Sequence, residues 1–226
     1  MSSTEVFGSR PPSGAKHAGA RLDGDLDRPI VYIVDDDPGV RLALKESLRG
    51  DGWVLRDFSS GEEFLESYHP DSVCCIVLDL QMPGLGGLEV QRQLVERKAL
   101  NPIICITGYA DVPSAVQATR DGAVEFIEKP FSGPEIREAI ARAIEKSAGL
   151  QKDRARRRRI QARLHLLTER ESQILGMVVD GMLSREIAEE LHLSRRTVEV
   201  HRNRLMKKMK AESVVELVRL VLGARE

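Results

Sequence analysis

Apolar residues come in short, unbroken runs through the first half of the chain and at helical spacing through its last part. Five runs, 30–34, 53–58, 73–78, 103–107 and 124–127, read as strands. The first, third and fourth are almost wholly apolar, as strands covered on both faces are. Helical stretches separate them at 38–49, 60–68, 87–98, 112–121 and 133–147; in the first, Val40, Leu44 and Leu48 recur at spacings of four. This alternation predicts an α/β unit, a doubly wound five-stranded parallel sheet with helices on both faces. Such sheets bind ligands beyond the carboxyl ends of their strands.

From about Leu166 the strand signal stops. Thr168 and Glu171 have capping-box spacing ahead of Ile174, Leu175, Val178 and Val179. Gly181 suits a left-handed helix stop. Residues 184–191 place Ile187, Ala188 and Leu191 on one face, Ser194 caps a helix over 195–210, and 212–222 closes the chain. Four short helices, two in tight succession, make an all-α helix-turn-helix pattern. Between the two halves, 151–163 is charge-dense, with Arg154 and the run Arg156 to Arg159. It reads as an exposed helical linker continuing the helix before it. It serves either as a solvated basic face or as a contribution to nucleic-acid affinity. The expected organisation is a disordered tail over 1–28, the α/β unit over 29–147, the basic linker over 148–165 and the helical unit over 166–226.

Composition narrows the class. The chain of 226 residues is 42% hydrophobic and 31% charged, as folded globular proteins are. No apolar run approaches the roughly 20 residues of a membrane span. The first 28 residues lack the apolar core of a secretory signal, so a cytoplasmic protein is expected. Cys74, Cys75 and Cys105 lie inside apolar runs without zinc-ligand spacing and read as small buried hydrophobes. The net charge of −1 conceals an asymmetry. Lysine and arginine outnumber acidic residues 18 to 11 from Gln151 onward and are outnumbered 16 to 24 before it. That split suits a cation-binding half joined to a half that meets polyanions.

Asp35, Asp36 and Asp37 follow the first strand; Asp79 ends the third, Thr107 the fourth, and Lys129 follows the fifth. A doubly wound sheet brings these strand ends to one edge. Clustered carboxylates need a compensating cation, and Mg2+ suits a few carboxylates with water and a phosphate. An aspartate there can act as a nucleophile and form an aspartyl phosphate, with a hydroxyl and an ammonium to bind the phosphoryl oxygens. Taken singly, each of these residues is a common turn, cap or solvated group; the set at four strand ends is not. Asp37 reads as the N-cap of the helix opened by Pro38, with a metal role through water as the alternative.

In the basic half, a wheel of the third helix puts Val198, Leu205 and Met209 toward a core and Arg196, Glu199, Val200, Asn203 and Lys207 on the opposite face. Asn can pair with adenine, Val can touch a thymine methyl, and Arg and Lys supply phosphate binding.

The segments VDDD, LDLQMPGLGGLE, ITGYADVPSAV and GAVEFIEKPF resemble the receiver domain of bacterial two-component response regulators, most nearly the FixJ type, a flavodoxin-like fold. The resemblance implies Asp79 as phosphoacceptor, Mg2+ held by Asp35, Asp36, Asp79 and the carbonyl of Gln81, and Thr107, Phe126 and Lys129 as switch and phosphate-binding residues. It also implies a cis peptide before Pro130. Gln81 and Tyr109 would border the path of hydrolytic water. Tyr109 either hinders that water or only packs.

The segments LTERESQIL and GMLSREIAEELHLSRRTVEVHRNRLMKKM resemble the LuxR/NarL-type helix-turn-helix. By that resemblance Arg195, Arg196, Thr197, Glu199, Val200, Arg202, Asn203 and Lys207 contact DNA. Glu199 departs from the usual basic residue; it either accepts from a cytosine amine or weakens phosphate binding. His201 reads as a packing or phosphate-contact residue without a second metal ligand. The implied partners are a sensor histidine kinase, promoter DNA, RNA polymerase and a second copy, meeting at a surface that includes Val112, Ala115 and Val116.

Two other functions compete with this reading. One is a DNA-binding protein whose receiver is set by protein contact alone; the complete set of receiver residues argues against it. The other is a phosphohydrolase, but Asp79 opens Asp-Leu-Gln rather than Asp-x-Asp, so the second acid/base carboxylate is missing. Only slow self-phosphorylation and self-dephosphorylation are expected, not enzymatic turnover of another substrate.

Overall fold

The computed structural model describes residues 28–99, 101–108 and 125–224. The helix expected at 112–121, the residues Tyr109, Val112, Ala115 and Val116, and the N-terminal tail up to residue 27 lie outside them.

Five strands, β1 (Ile30–Val34), β2 (Val54–Phe58), β3 (Cys74–Asp79), β4 (Ile103–Thr107) and β5 (Glu125–Glu128), form one sheet in the order β2-β1-β3-β4-β5. Every pairing is parallel. β1, β3 and β4 are buried at every position, which is why their sequences do not alternate. On one face Tyr32, Ile76 and Leu78 pack against Phe64 of α2 (Gly61–Ser67) and Val90 and Leu94 of α3 (Gly87–Glu96). On the other, Ile33, Val77 and Ile104 meet Leu44 of α1 (Pro38–Ser47) and Ile136, Ile140 and Ala143 of α4 (Gly133–Leu164). The sheet is doubly wound, and the strand order reverses beside β1 and β3.

The helices start where their caps dictate. The Asp37 carboxylate accepts from the Gly39 N–H at 2.7 Å and so opens α1. Ser60 and Ser132 do the same for α2 and α4. α1 and α3 each stop two residues before the ends expected at 49 and 98. For α3 the cause is local: Lys98 takes a left-handed φ of 54°.

α4 runs 32 residues without a break. Its first half belongs to the α/β core, whereas Ile160 is buried among the following helices. These are α5 (Glu169–Val179), α6 (Ser184–Glu190), α7 (Arg195–Met209) and α8 (Val214–Leu222). Thr168 and Glu171 form the reciprocal capping box of α5. Gly181 turns the chain toward α6 at φ 86°. α7 ends because Lys210 adopts φ 52°. Among the described residues, no helix is long and apolar enough to cross a membrane.

Candidate functional site

β1 and β3 are central and neighbouring, so the residues at their carboxyl ends meet. Asp35 follows β1 and is fully buried; Asp79 is the last residue of β3 and nearly so. With the exposed Asp36 they present carboxylate oxygens that all lie within 4.8 Å of one another. Lys129, just after β5, reaches across to donate from Nζ to Asp35 Oδ2 and Asp79 Oδ2, each at 2.7 Å. Backbone N–H groups hold the other oxygens: Asp37 donates to Asp35 Oδ1 at 2.9 Å and Gln81 to Asp79 Oδ1 at 3.1 Å.

Burial pushes the Asp35 carboxyl above the ordinary carboxylate value, against the lowering effect of Lys129 and the Asp37 N–H. Partial burial opposes the charge on Lys129, but the two carboxylates outweigh it and hold the ammonium above the ordinary lysine value. Three carboxylates thus face one ammonium. The oxygen set can hold a hard divalent cation.

Thr107 closes β4 and is buried, and its carbonyl accepts from the Lys129 N–H at 2.7 Å. The β3–β4 register pairs Asp79 with Ile106, which puts Thr107 one residue further along. Phe126, on β5, packs partly buried against the α2–α3 face of the sheet. The side chain of Gln81 is exposed, and the Lys129–Pro130 peptide is cis.

One contributor belongs to no motif in the sequence. Arg41, in the first turns of α1, donates to the carbonyls of Asp35 at 2.7 Å and Asp36 at 3.1 Å, and so braces the acidic loop. A cation there opposes the helix dipole, and that anomaly is the signal that marks it.

In the helical unit, Ser194 Oγ accepts from the Thr197 N–H at 3.1 Å and fixes the start of α7. Val198, Leu205 and Met209 are buried. Arg195, Arg196, Glu199, Val200, Asn203 and Lys207 are exposed, and Thr197 is half-buried. Arg202 is also half-buried, and its guanidinium donates to Ser184 Oγ of α6 at 2.9 Å. His201 Nδ1 is buried without a hydrogen-bond partner.

A family model described as the response regulator receiver domain matches residues 31–141, and one for bacterial regulatory proteins of the luxR family matches 165–221. The transcriptional regulatory protein FixJ of Rhizobium meliloti (strain 1021) is 46% identical over 194 residues, covering 85% of this chain and 95% of that protein. The chain belongs to the response regulators. It carries the LuxR-family DNA-binding domain of their transcriptional branch. The response regulator protein TmoT of Ectopseudomonas mendocina is 42% identical over 192 residues, covering 84% of this chain and 87% of the relative. The solved structure of the response regulator StyR superposes with a TM-score of 0.78 at 36% identity, covering 86% of this chain and 98% of that one. Both halves of this response regulator therefore have relatives joined in the same order.

Proposed function

We propose that Asp79 accepts a phosphoryl group from a sensor histidine kinase. The phosphorylated regulator then pairs with a second copy and binds promoter DNA in the cytoplasm, where it meets RNA polymerase. In this reading residues 29–147 are the receiver, 148–165 the link and 166–226 the DNA-binding unit, with Ile160 and Leu164 of the link packed into that unit. The observation that carries the proposal is the Asp79 carboxylate at the end of β3. It is joined to Lys129 at 2.7 Å and flanked by Asp35 and Asp36, on a chain that also carries a luxR-family domain.

A carboxylate oxygen of Asp79 forms a bond to phosphorus as the phosphorus–nitrogen bond to the kinase imidazole breaks, its electron pair staying with the imidazole. Asp35, Asp36, Asp79 and the Gln81 carbonyl are the groups that would hold Mg2+. The fit rests on three carboxylates opposed by one ammonium, with Asp35 fully buried. Bound there, Mg2+ supplies charge compensation for the attacking and incoming oxygens. Lys129 pairs with a phosphoryl oxygen, and the Thr107 hydroxyl turns toward another. Phe126 follows into the space left. The surface around Val112, Ala115 and Val116 then dimerises, biasing a pre-existing equilibrium between two states. Gln81 and Tyr109 set the lifetime of the phosphate. Turnover is limited to slow self-phosphorylation and self-dephosphorylation.

On α7, Arg195, Arg196, Thr197, Glu199, Val200, Asn203 and Lys207 meet the major groove. Arg202, bound to Ser184, secures α7 against α6 and reaches phosphate from that anchored position. The test is a titration of a promoter-DNA library with and without acetyl phosphate and Mg2+, beside Asp79→Asn. Selective binding that needs phosphate, Mg2+ and Asp79 supports the proposal. Selective binding indifferent to all three refutes the phosphate switch and leaves a receiver driven by protein contact.

A further inference from the structure

Six of the seven arginines and lysines over 149–164 of α4 fall into two groups, with Arg157 outside both. On one side, Arg154 and Arg158 pair with Asp71 of the receiver at 3.2 and 3.0 Å. On another, Lys152, Arg156, Arg159 and Arg163 recur at i, i+4, i+7 and i+11. At 3.6 residues per turn these four fall in one row about 16 Å long. Lys152, Arg156 and Arg159 are exposed and have no carboxylate partner among the described residues. Like charges at these spacings oppose helix formation, so the row weakens its own helix. Its exposed members, Lys152, Arg156 and Arg159, are not among the anchors of α4, which include Ser147 and Gln151 on the receiver and Ile160 in the DNA-binding unit.

The row also has a fixed address. Arg163, at its far end, donates to the carbonyl of Met209, the last residue of α7, at 2.9 Å. The adjoining Lys207 and Lys210 are exposed. A helix lying in the major groove runs between two phosphate backbones, and its ends approach them. A track of cations whose far end is anchored by Arg163 to the carboxyl end of α7 is therefore carried toward the backbone beside the half-site.

We propose that Lys152, Arg156, Arg159 and Arg163 form a second DNA contact surface, which binds phosphates flanking the sequence read by α7. The contact adds affinity and salt dependence without sequence preference. It rests on the reading that the luxR-family unit binds duplex DNA. It extends the DNA footprint onto the helix that joins the two domains.

The test uses the full chain treated with acetyl phosphate and Mg2+, titrated with its selected operator across a salt series. It compares the wild type, Arg156→Gln with Arg159→Gln, and Arg154→Gln with Arg158→Gln. Circular dichroism and thermal melting report the fold, and removing repulsion within the row is expected to leave α4 intact. The Arg156/Arg159 variant should bind more weakly, with a slope of log K against log salt shallower by about 0.9 for each lost phosphate contact. Its ranking of operator sequences should not change. The Arg154/Arg158 variant removes the same charge from the receiver-paired side and should change the slope much less. Equal slopes for all three proteins would overturn the proposal, and so would equal losses in both variants, which would indicate net charge alone. Unchanged DNA binding with lost transcription would assign the row to a protein partner and overturn it too. A wild type without selective DNA binding would refute the underlying reading, whereas selective wild-type binding with an unaltered Arg156/Arg159 variant refutes only the second surface.

Discussion

Replacing Lys129 with methionine should make the receiver depend on a divalent cation. The ammonium donates to Asp35 Oδ2 and Asp79 Oδ2 at 2.7 Å each, and both side chains are nearly inaccessible. Without it, two buried carboxylates face one another with oxygens no more than 4.8 Å apart. Their repulsion is about 1 kcal/mol at the dielectric constant of water and about 3.5 kcal/mol at an effective value of about 20. The loss of two charge-assisted hydrogen bonds acts in the same direction. The expected destabilisation in EDTA is about 3 kcal/mol, within the range for breaking a buried ion pair. Mg2+ should then stabilise the variant more than the wild type, because the wild-type ammonium occupies the same oxygens and repels the incoming ion. A tenfold gain in Mg2+ affinity corresponds to about 1.4 kcal/mol of additional stabilisation at saturation.

The assay is urea unfolding at neutral pH in EDTA and in MgCl2 at matched ionic strength. Trp53 is the only tryptophan and packs against the α1–α4 face of the sheet, so its fluorescence reports the receiver within the full chain. A variant as stable as the wild type in EDTA, or one that gains no more from Mg2+, would refute the electrostatic account of the pocket.

Three further outcomes follow from single contacts. The Glu171 carboxyl is held below its ordinary value of 4.5, chiefly by the hydrogen bond from Lys208 and next by the Thr168 N–H. A depressed pKa contributes stability that is present above 4.5 and lost as the pH falls through the folded value. The stability difference between wild type and Glu171→Gln, about 1.5 kcal/mol at neutral pH, should thus stay flat above that point and shrink below it in thermal melts. Asn101→Ala removes a buried amide that donates to Tyr68 OH and the Pro70 carbonyl and accepts from Ser147 and Gln151. It should cost about 3 kcal/mol by urea unfolding; a loss below about 1 kcal/mol would mean that the network contributes little. Gly87→Ala would put a Cβ 2.2 Å from the Asp79 carbonyl and 2.7 Å from Leu80 Cα. It should destabilise by about 2–3 kcal/mol and slow phosphorylation by acetyl phosphate; normal rates and stability would show that α3 gives way freely.

The parts of this molecule legible in the sequence are those whose residue type is dictated by one local condition. β1, β3 and β4 are covered on both faces and so spell themselves as unbroken apolar runs. Asp35, Asp79 and Thr107 stand out because each interrupts such a run at the point where a strand reaches the sheet edge. The division of α7 into buried Val198, Leu205 and Met209 and an exposed opposite face follows from helical period alone. The illegible parts depend on partners far away along the chain. Asn101 and Gln151 are 50 positions apart and look like ordinary surface amides until the fold brings them together. Ile160 follows four arginines and has only Leu164 and Leu167 after it at helical spacing, because the rest of the core that buries it comes from α5 to α8. Arg202 falls on the flank of the α7 wheel, and only the fold brings Ser184 against it. Chemistry at the pocket admits few side chains, so its residues announce themselves. The contacts that join the two domains admit many, and their positions emerge only from the packing of α4.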